Sequence, residues 1–297
     1  MEREEQYWRQ RSRVSWMRCG DKNTKLFHRK ASARKKRNAI RGLEDDHGVW
    51  HSGDTEIERI VSGYFGEIFS STRPSSQGIE FVYAGVQPRI SEALNAELER
   101  PFEPEEVKKA LFSMDAIKAP GSDGFPAVFY QRYWDVVGES VLKTCLGILN
   151  DGDEVASIND TVVTLIPKVE DPRRVSDFRP ISLCNVIYKI VAKCLVNRLK
   201  TTMHDAISES QSAFVGGRLI FDNVMVGFEA LHTMKRKRFG NGKCASLKLD
   251  MAKAFDRVEW AYLESMMLRL GYCPRWVHLI MRCVTSVRFA SNINGSI

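Results

Sequence analysis

The sequence predicts an α+β protein with a basic helical extension at its N-terminus. Three observations carry this. Asn185 to Met203 repeats its apolar residues at helical spacing, with Ile187, Ile190, Val191, Cys194, Leu195 and Leu199 on one stripe and Lys189, Lys193 and Lys200 off it. Two short runs, "TVVTLIPK" (Thr161 to Lys168) and "KCASLKLDM" (Lys243 to Met251), read as strands. The charge sits at one end: residues 1–41 hold 14 Lys/Arg against 4 Asp/Glu, whereas the remaining 256 residues hold 30 against 33.

In chain order, residues 1–41 read as mostly helical. Within them Arg29, Lys30, Arg34, Lys35, Lys36, Arg37 and Arg41 place seven cations in thirteen residues with no acid. Such a block suits a polyanion, and it equally fits a solvated helix face or a nuclear-import signal. "IRGLEDDHGVWHSGD" reads as a short hairpin with Asp45, Asp46 and Gly48 at its tip. His47 and His51 are four apart but lack a third ligand, so zinc is not expected. Thr55 to Phe69 has helical spacing, and Ser70 to Gly78 ("SSTRPSSQG") is the best linker candidate. Glu103 to Met114 starts a helix at Pro104. "KAPGSDGFP" (Lys118 to Pro126) is a Gly- and Pro-rich loop whose backbone can approach a neighbour closely. Pro167 stops the first strand, and Asn185 is placed to cap the following helix. After the second strand, Asp256 and Glu259 form a capping-box-like start to a helix that Gly271 and Pro274 end. A last helix, "PRWVHLIMRCV", leads into the strand "SVRFASNI" and the hairpin signal Asn294–Gly295. With only Ser296 and Ile297 beyond it, the expectation is a chain that stops in the middle of a fold.

No apolar run reaches the roughly 18–20 residues that span a bilayer, and Glu2 starts a charged N-terminus unlike a secretory signal. The seven cysteines form no CxxC pair, which points to a reducing, intracellular setting, nucleus or cytoplasm undecided.

The chemistry centres on "SLKLDMAKAFDRVEW" (Ser246 to Trp260). Asp256 is explained as a helix cap. Asp250 is not, because it closes a core strand, where open sheets place ligands. A carboxylate there, with the next carbonyl, suits a hard cation such as Mg²⁺. Two-metal phosphoryl transfer needs at least two clustered carboxylates. No Asp follows Asp256 in the sequence, so any partner for Asp250 comes from upstream or from another polypeptide segment.

Six stretches together resemble the reverse transcriptases of plant non-LTR (LINE-type) retrotransposons: "WRQRSRVSWMRCGDKNTKLFHRKAS", "KAPGSDGFPAVFYQRYW", "VVTLIPK", "DFRPISLCNVIYKIVAKCLVNRLK", "QSAFVGGRLIFDNVMVGFEALH" and "LDMAKAFDRVEW". They follow the family's order and cover nearly the whole chain. The resemblance implies a right-hand polymerase: a basic N-terminal extension and linker over 1–75, fingers over 76–240 and an incomplete palm over 241–297. It implies that Asp250, helped by the carbonyl of Met251, ligates catalytic Mg²⁺. Phe255 matches a steric gate against a ribose 2′-hydroxyl. Lys168 and Arg179 match basic positions that hold the incoming triphosphate, and Gln211, Arg218 and Asn223 lie in a segment that cradles the template. Read without the family, Phe255 is a core aromatic, and Lys168 and Arg179 are polar residues at a strand end and in a loop. The implied partners are an RNA template, a DNA primer and dNTP. The family's paired aspartates and its thumb have no counterpart in the sequence, so the expectation is a fragment inactive by itself. The alternative expectation is a non-catalytic nucleic-acid-binding remnant that uses the basic arm.

Overall fold

A computed structural model describes residues 24–236 and 245–297. The helix expected over the first 23 residues, and Lys243 and Cys244 of the expected second strand, lie outside this range. In chain order the elements are α1 (Thr24–Asn38), β1 (Leu43–Glu44), β2 (Trp50–His51), α2 (Asp54–Ile68), α3 (Ser76–Tyr83), α4 (Glu92–Glu99), α5 (Pro104–Phe112), α6 (Ala127–Arg132) and α7 (Trp134–Leu146). These are followed by β3 (Asp160–Pro167), β4 (Phe178–Cys184), α8 (Val186–Ala206), α9 (Ile220–Arg236), α10 (Trp260–Arg269), α11 (Pro274–Thr285) and β5 (Arg288–Asn292). The composition is mixed helix and sheet, as expected. No helix among the described residues is long and apolar enough to cross a membrane.

The chain forms two compact units. The first comprises Met1–Ser70, Pro101–Lys193 and Arg282–Ile297, and the second Ser71–Arg100 and Cys194–Met281. One boundary falls in the polar stretch after Ser70, where no large apolar side chain ties the chain down.

In the first unit β3 is the central strand of a three-stranded sheet in the order β4-β3-β5. Its burial follows from its sequence: Val162, Val163 and Leu165 are all buried, which a central β-branched run achieves and an edge strand does not. β4 pairs with it antiparallel, Ile166 facing Arg179 and Thr161 facing Cys184. β5 pairs with it parallel, Thr161 facing Phe289. Pro167 is the last ladder residue, as a missing N–H requires. One face of this sheet joins Ile57, Val61 and Phe65 of α2, together with Ile40, Leu43, Val175, Phe178 and Ile293, in a single core. α2 starts with Asp54 and Glu56 in its first turn, where acids meet the positive end of the helix. α5 opens with Pro104, and the Glu103 N–H donates to the Glu106 carboxylate at 3.0 Å. Asn159 is fully buried at the start of β3, and its Nδ2 donates to the Cys283 carbonyl (2.9 Å) and to Ser286 Oγ (3.0 Å). Tyr188 donates to that same carbonyl at 3.1 Å. Burial pushes the Tyr188 hydroxyl up to about 12 and the Cys283 thiol up to about 11.

The turn at Asn294–Gly295 forms as the sequence predicts, with φ of 55° and 110° and a bridge between Ile293 and Ser296. Gly295 is the residue that makes this left-handed step inexpensive. The Asn294 side chain then reaches back along the chain. It accepts from the Ile40 N–H at 2.8 Å and donates to the Ile40 carbonyl at 2.9 Å, fastening the residue between α1 and β1.

The β1–β2 hairpin also forms, with Leu43 opposite His51. Its tip is organised by Asp45. Asp45 accepts from the His47 and Val49 amides at 3.0 and 2.9 Å and pairs with His51 Nε2 at 2.9 Å. The His51 bond, followed by the Val49 amide, holds its carboxyl down from 3.8 to about 2. A lowered carboxylate pKa stabilises above the unfolded value and ceases to do so as pH falls through the folded value. The hairpin tip is therefore expected to loosen between pH 3.8 and about 2, read from the Val49 and His47 amide signals by NMR. Asp45→Asn should remove that transition; a transition that persists in the variant would assign it to another group.

Two expected elements differ. Ala245–Asp250 keeps its strand-like alternation, but no described strand pairs with it and it is not a strand; Leu247 and Leu249 are 82% and 83% exposed. A lone extended segment has no ladder to hold it, whatever its alternation. The helix expected to start at Asp256 starts instead at Trp260, with Glu259 as N-cap. Asp256 lies in a 3₁₀ turn (Phe255–Arg257) and pairs with Lys253 at 4.0 Å. Glu259 accepts from the Thr72 N–H and hydroxyl, both at 2.9 Å. That anchor sets where the helix begins, and it is invisible locally because Thr72 is far away in sequence. Asn185 precedes α8 as expected, but its side-chain oxygen accepts from the 118–126 loop, from Ser122 Oγ and the Asp123 N–H, both at 3.4 Å.

Candidate active site

The candidate residues fall on both units, and each set is described within its own unit. In the first, Lys168 directly follows β3 and Arg179 is the second residue of β4, so the antiparallel register brings them to the same open end of the ladder. Both are exposed. Lys168 Nζ donates to the Ser176 carbonyl at 2.8 Å, and its N–H donates to the Asp177 carbonyl at 2.8 Å. The Arg179 guanidinium makes no ion pair or hydrogen bond among the described residues. Asp177 shapes the connection by accepting from the Arg173 and Arg174 amides at 3.0 and 2.9 Å. These bonds, the Arg174 one first, hold its carboxyl below the usual range.

In the second unit Gln211, Arg218 and Asn223 are drawn together around one turn after α8. Arg218 Nη1 donates to the carbonyls of Ser208 (2.6 Å) and Gln211 (2.8 Å), and its Nη2 donates to that of Ile207 (3.2 Å). Asn223 Nδ2 donates to the Ser210 carbonyl at 3.1 Å. The planar guanidinium with its fork of donors gathers carbonyls left open at the helix end. Phe255 is 80% exposed, which a core aromatic is not, and it meets Phe214 edge-on with centroids 6.0 Å apart at 77°. Phe214 is a site neighbour that sequence reasoning missed. Its φ of 64° is a left-handed conformation, costly for a bulky side chain. The Gly216–Gly217 pair just after it was the available signal that a tight turn lay there.

Asp250 is exposed, and it makes no hydrogen bond or ion pair among the described residues. Met251 beside it is exposed as well. Among the described residues no group of three or more His, Cys, Asp or Glu side chains is placed to hold a metal ion. Asp250 thus offers one carboxylate where two-metal chemistry needs at least two, and the described residues do not by themselves fit such a centre.

Residues 166–296 match the family model described as reverse transcriptase (RNA-dependent DNA polymerase). Over these residues the chain is similar to reverse transcriptases. The whole chain is also similar to a protein named "Transposon TX1 uncharacterized 149 kDa protein" from Xenopus laevis, with 31% identity over 287 residues, 97% of this chain. The chain spans 22% of the length of that relative. The reverse transcriptase match begins within β3 and ends at the Asn294–Gly295 turn, so it encloses Lys168, Arg179, Asp250 and Phe255. α1, β1, β2, α2 and the 118–126 loop lie outside the matched residues, although the similarity to the transposon protein runs across nearly all of the chain.

Proposed function

We propose that this chain is part of the RNA-directed DNA polymerase of a LINE-type retrotransposon, akin to those of plants. It would contribute fingers over 76–240 and the beginning of the palm over 241–297, with 1–75 as a basic extension and linker. The observation that supports this is that the reverse transcriptase match, residues 166–296, encloses Lys168, Arg179, Asp250 and Phe255. In this reading Lys168 and Arg179 meet the incoming dNTP, Lys168 as a point charge and Arg179 as a bidentate fork. Phe255 screens the sugar, and its exposure supports that role. Gln211, Arg218 and Asn223 shape the template side, Arg218 through the turn it organises. Asp250 and the Met251 carbonyl are the chain's share of a Mg²⁺ site that needs further carboxylates.

Primer extension with an RNA template, a DNA primer, dNTP and Mg²⁺ tests this. The chain by itself is expected to give no incorporation above background, because Asp250 belongs to no group of three or more metal-binding side chains among the described residues. Robust incorporation by the purified chain would overturn the need for others.

A second activity has its own observation. On α1, His28, Ala31, Arg34 and Asn38 are partly buried, whereas Arg29, Lys30, Lys35, Lys36 and Arg37 are exposed, and Arg41 beyond the helix is exposed too. α1 has no acid in its first turn and three cations in its last. We expect this face to bind nucleic-acid backbone with little sequence preference. Replacing Arg29, Lys30, Lys36 and Arg37 by Gln should weaken binding and reduce the slope of log K against log salt by about three, at roughly 0.7–0.9 per phosphate contact. A slope unchanged in the quadruple variant counts against the arm.

A further inference from the structure

The connection between β3 and β4 carries three cations, Lys168, Arg173 and Arg174, and a fourth, Arg179, is the second residue of β4. The structure treats them in two ways. Arg173 and Arg174 both turn to one acid, Glu44 of β1. Arg173 Nη1 lies 3.2 Å from Glu44 Oε1, and Arg174 Nε lies 3.5 Å from Oε2. The Glu44 side chain is only 15% exposed. Its backbone N–H also donates to the Arg173 carbonyl at 2.7 Å, so the hairpin is joined to the connection through main chain and side chain together. Either side of these contacts the same pieces enter one core: Leu43 next to Glu44, and Val175 and Phe178 next to the arginines, are buried together. Lys168 and Arg179 are left out of this arrangement. Lys168 is held by a neutral carbonyl, and Arg179 has no partner among the described residues.

We propose that Glu44 is a positioning residue for triphosphate binding: it takes up Arg173 and Arg174, bolts the 168–177 connection to the β1–β2 hairpin, and leaves Lys168 and Arg179 as the available cations. This rests on the reading that Lys168 and Arg179 meet the dNTP. Glu44 lies outside the residues that match the reverse transcriptase family model, and no motif marks it. The physical case is that of a partly buried acid shared by two guanidiniums. Its removal leaves Arg174 without its acid and Arg173 with only the exposed Asp171, 3.8 Å away, and both can fold back toward the same phosphates in place of Lys168 and Arg179. An exposed ion pair alone contributes little, so the expected signature is a loosened connection rather than an unfolded protein.

The test uses the full chain with dTTP and Mg²⁺ as probe. Binding is measured by calorimetry, and hydrogen exchange is followed over residues 168–177. Glu44→Gln should raise exchange across the connection, including the Lys168 amide, and weaken dTTP binding about threefold, the scale of a half-exposed ion pair. Glu44→Asp, which keeps the charge, should restore most of both. Where Glu44→Gln fails to fold, the Arg173→Gln/Arg174→Gln double variant keeps Glu44 and should show the same loosening. Exchange unchanged in both the Glu44→Gln and the double-arginine variant overturns the positioning role while leaving the dTTP reading intact. Tighter or unchanged dTTP binding in Glu44→Gln, with Lys168→Ala still weakening it, also overturns it. Wild-type chain whose dTTP binding is absent, or indifferent to Lys168→Ala and Arg179→Ala, overturns the triphosphate reading and with it any role for Glu44 beyond folding.

Discussion

Asp250→Asn is expected to lower primer extension by about 10³-fold or more in a polypeptide that carries this chain together with the further carboxylates it needs. The substitution keeps the shape of the side chain and removes its charge. Asp250 is exposed and makes no bond among the described residues, so no described contact depends on it. A loss of activity would therefore report on chemistry and not on unfolding. The melting temperature should be unchanged, which separates this outcome from a folding defect. Phe255→Ala in the same polypeptide provides the control on place: it should relax discrimination between dNTP and rNTP while retaining incorporation. Asp250→Asn with activity within tenfold of the parent would remove Asp250 from the catalytic centre and take the polymerase reading of this segment with it.

Gly121→Ala is expected to lower stability by about 2–3 kcal/mol, the range for overpacking, and the melting temperature of the chain by roughly 5–10 °C. The reason lies in what a methyl group would meet. A Cβ at Gly121 would stand 2.5 Å from the Asn185 amide nitrogen and 2.6 Å from the Cys184 carbonyl carbon. Both are backbone atoms, so no side-chain rotation relieves the contact. The whole 118–126 loop depends on that approach. Ser122 and Asp123 reach the Asn185 side chain, and the Ala119 carbonyl accepts from Lys189 Nζ at 3.2 Å. The loop is thereby closed over the junction of β4 and α8. Asp123 in turn raises the Tyr130 hydroxyl, after the larger effect of that residue's burial. Gly124→Ala makes a useful contrast. Nothing lies within 4 Å of its Cβ position, and the cost there comes only from a φ of 75°. Equal melting temperatures for Gly121→Ala and the parent would show that the junction has room for a methyl group.

Much of this was legible in the sequence because it is local. The run Thr161 to Pro167 announces a buried strand by its β-branched residues and ends at a proline that cannot donate. Asn294–Gly295 announces a turn because only such residues accept two consecutive positive φ angles at low cost. Pro104 and its neighbouring acids announce a helix start. The motif series pointed to the reverse transcriptase domain without any contact being known.

Other features were not legible, because their determinants are far apart in the chain. Asp256 looked like the helix cap, but Thr72 decides that Glu259 is. Asn185 looked like a cap, yet it serves a loop some sixty residues earlier. Ala245–Asp250 has the alternation of a strand, and alternation is only half of what a strand requires; the other half is a neighbour to hydrogen-bond with. Glu44 carries no signal at all, since an acid in a short hairpin is ordinary until Arg173 and Arg174 are seen to converge on it. The sequence by itself determined the β3 run, the helix start at Pro104, the stripe of α8, the Asn294–Gly295 turn and which chemistry the chain is related to, since these follow from backbone preference, periodicity and motif. Only the tertiary structure decided which charges are paired and which remain available, because pairing depends on distances between residues that the chain's order does not fix.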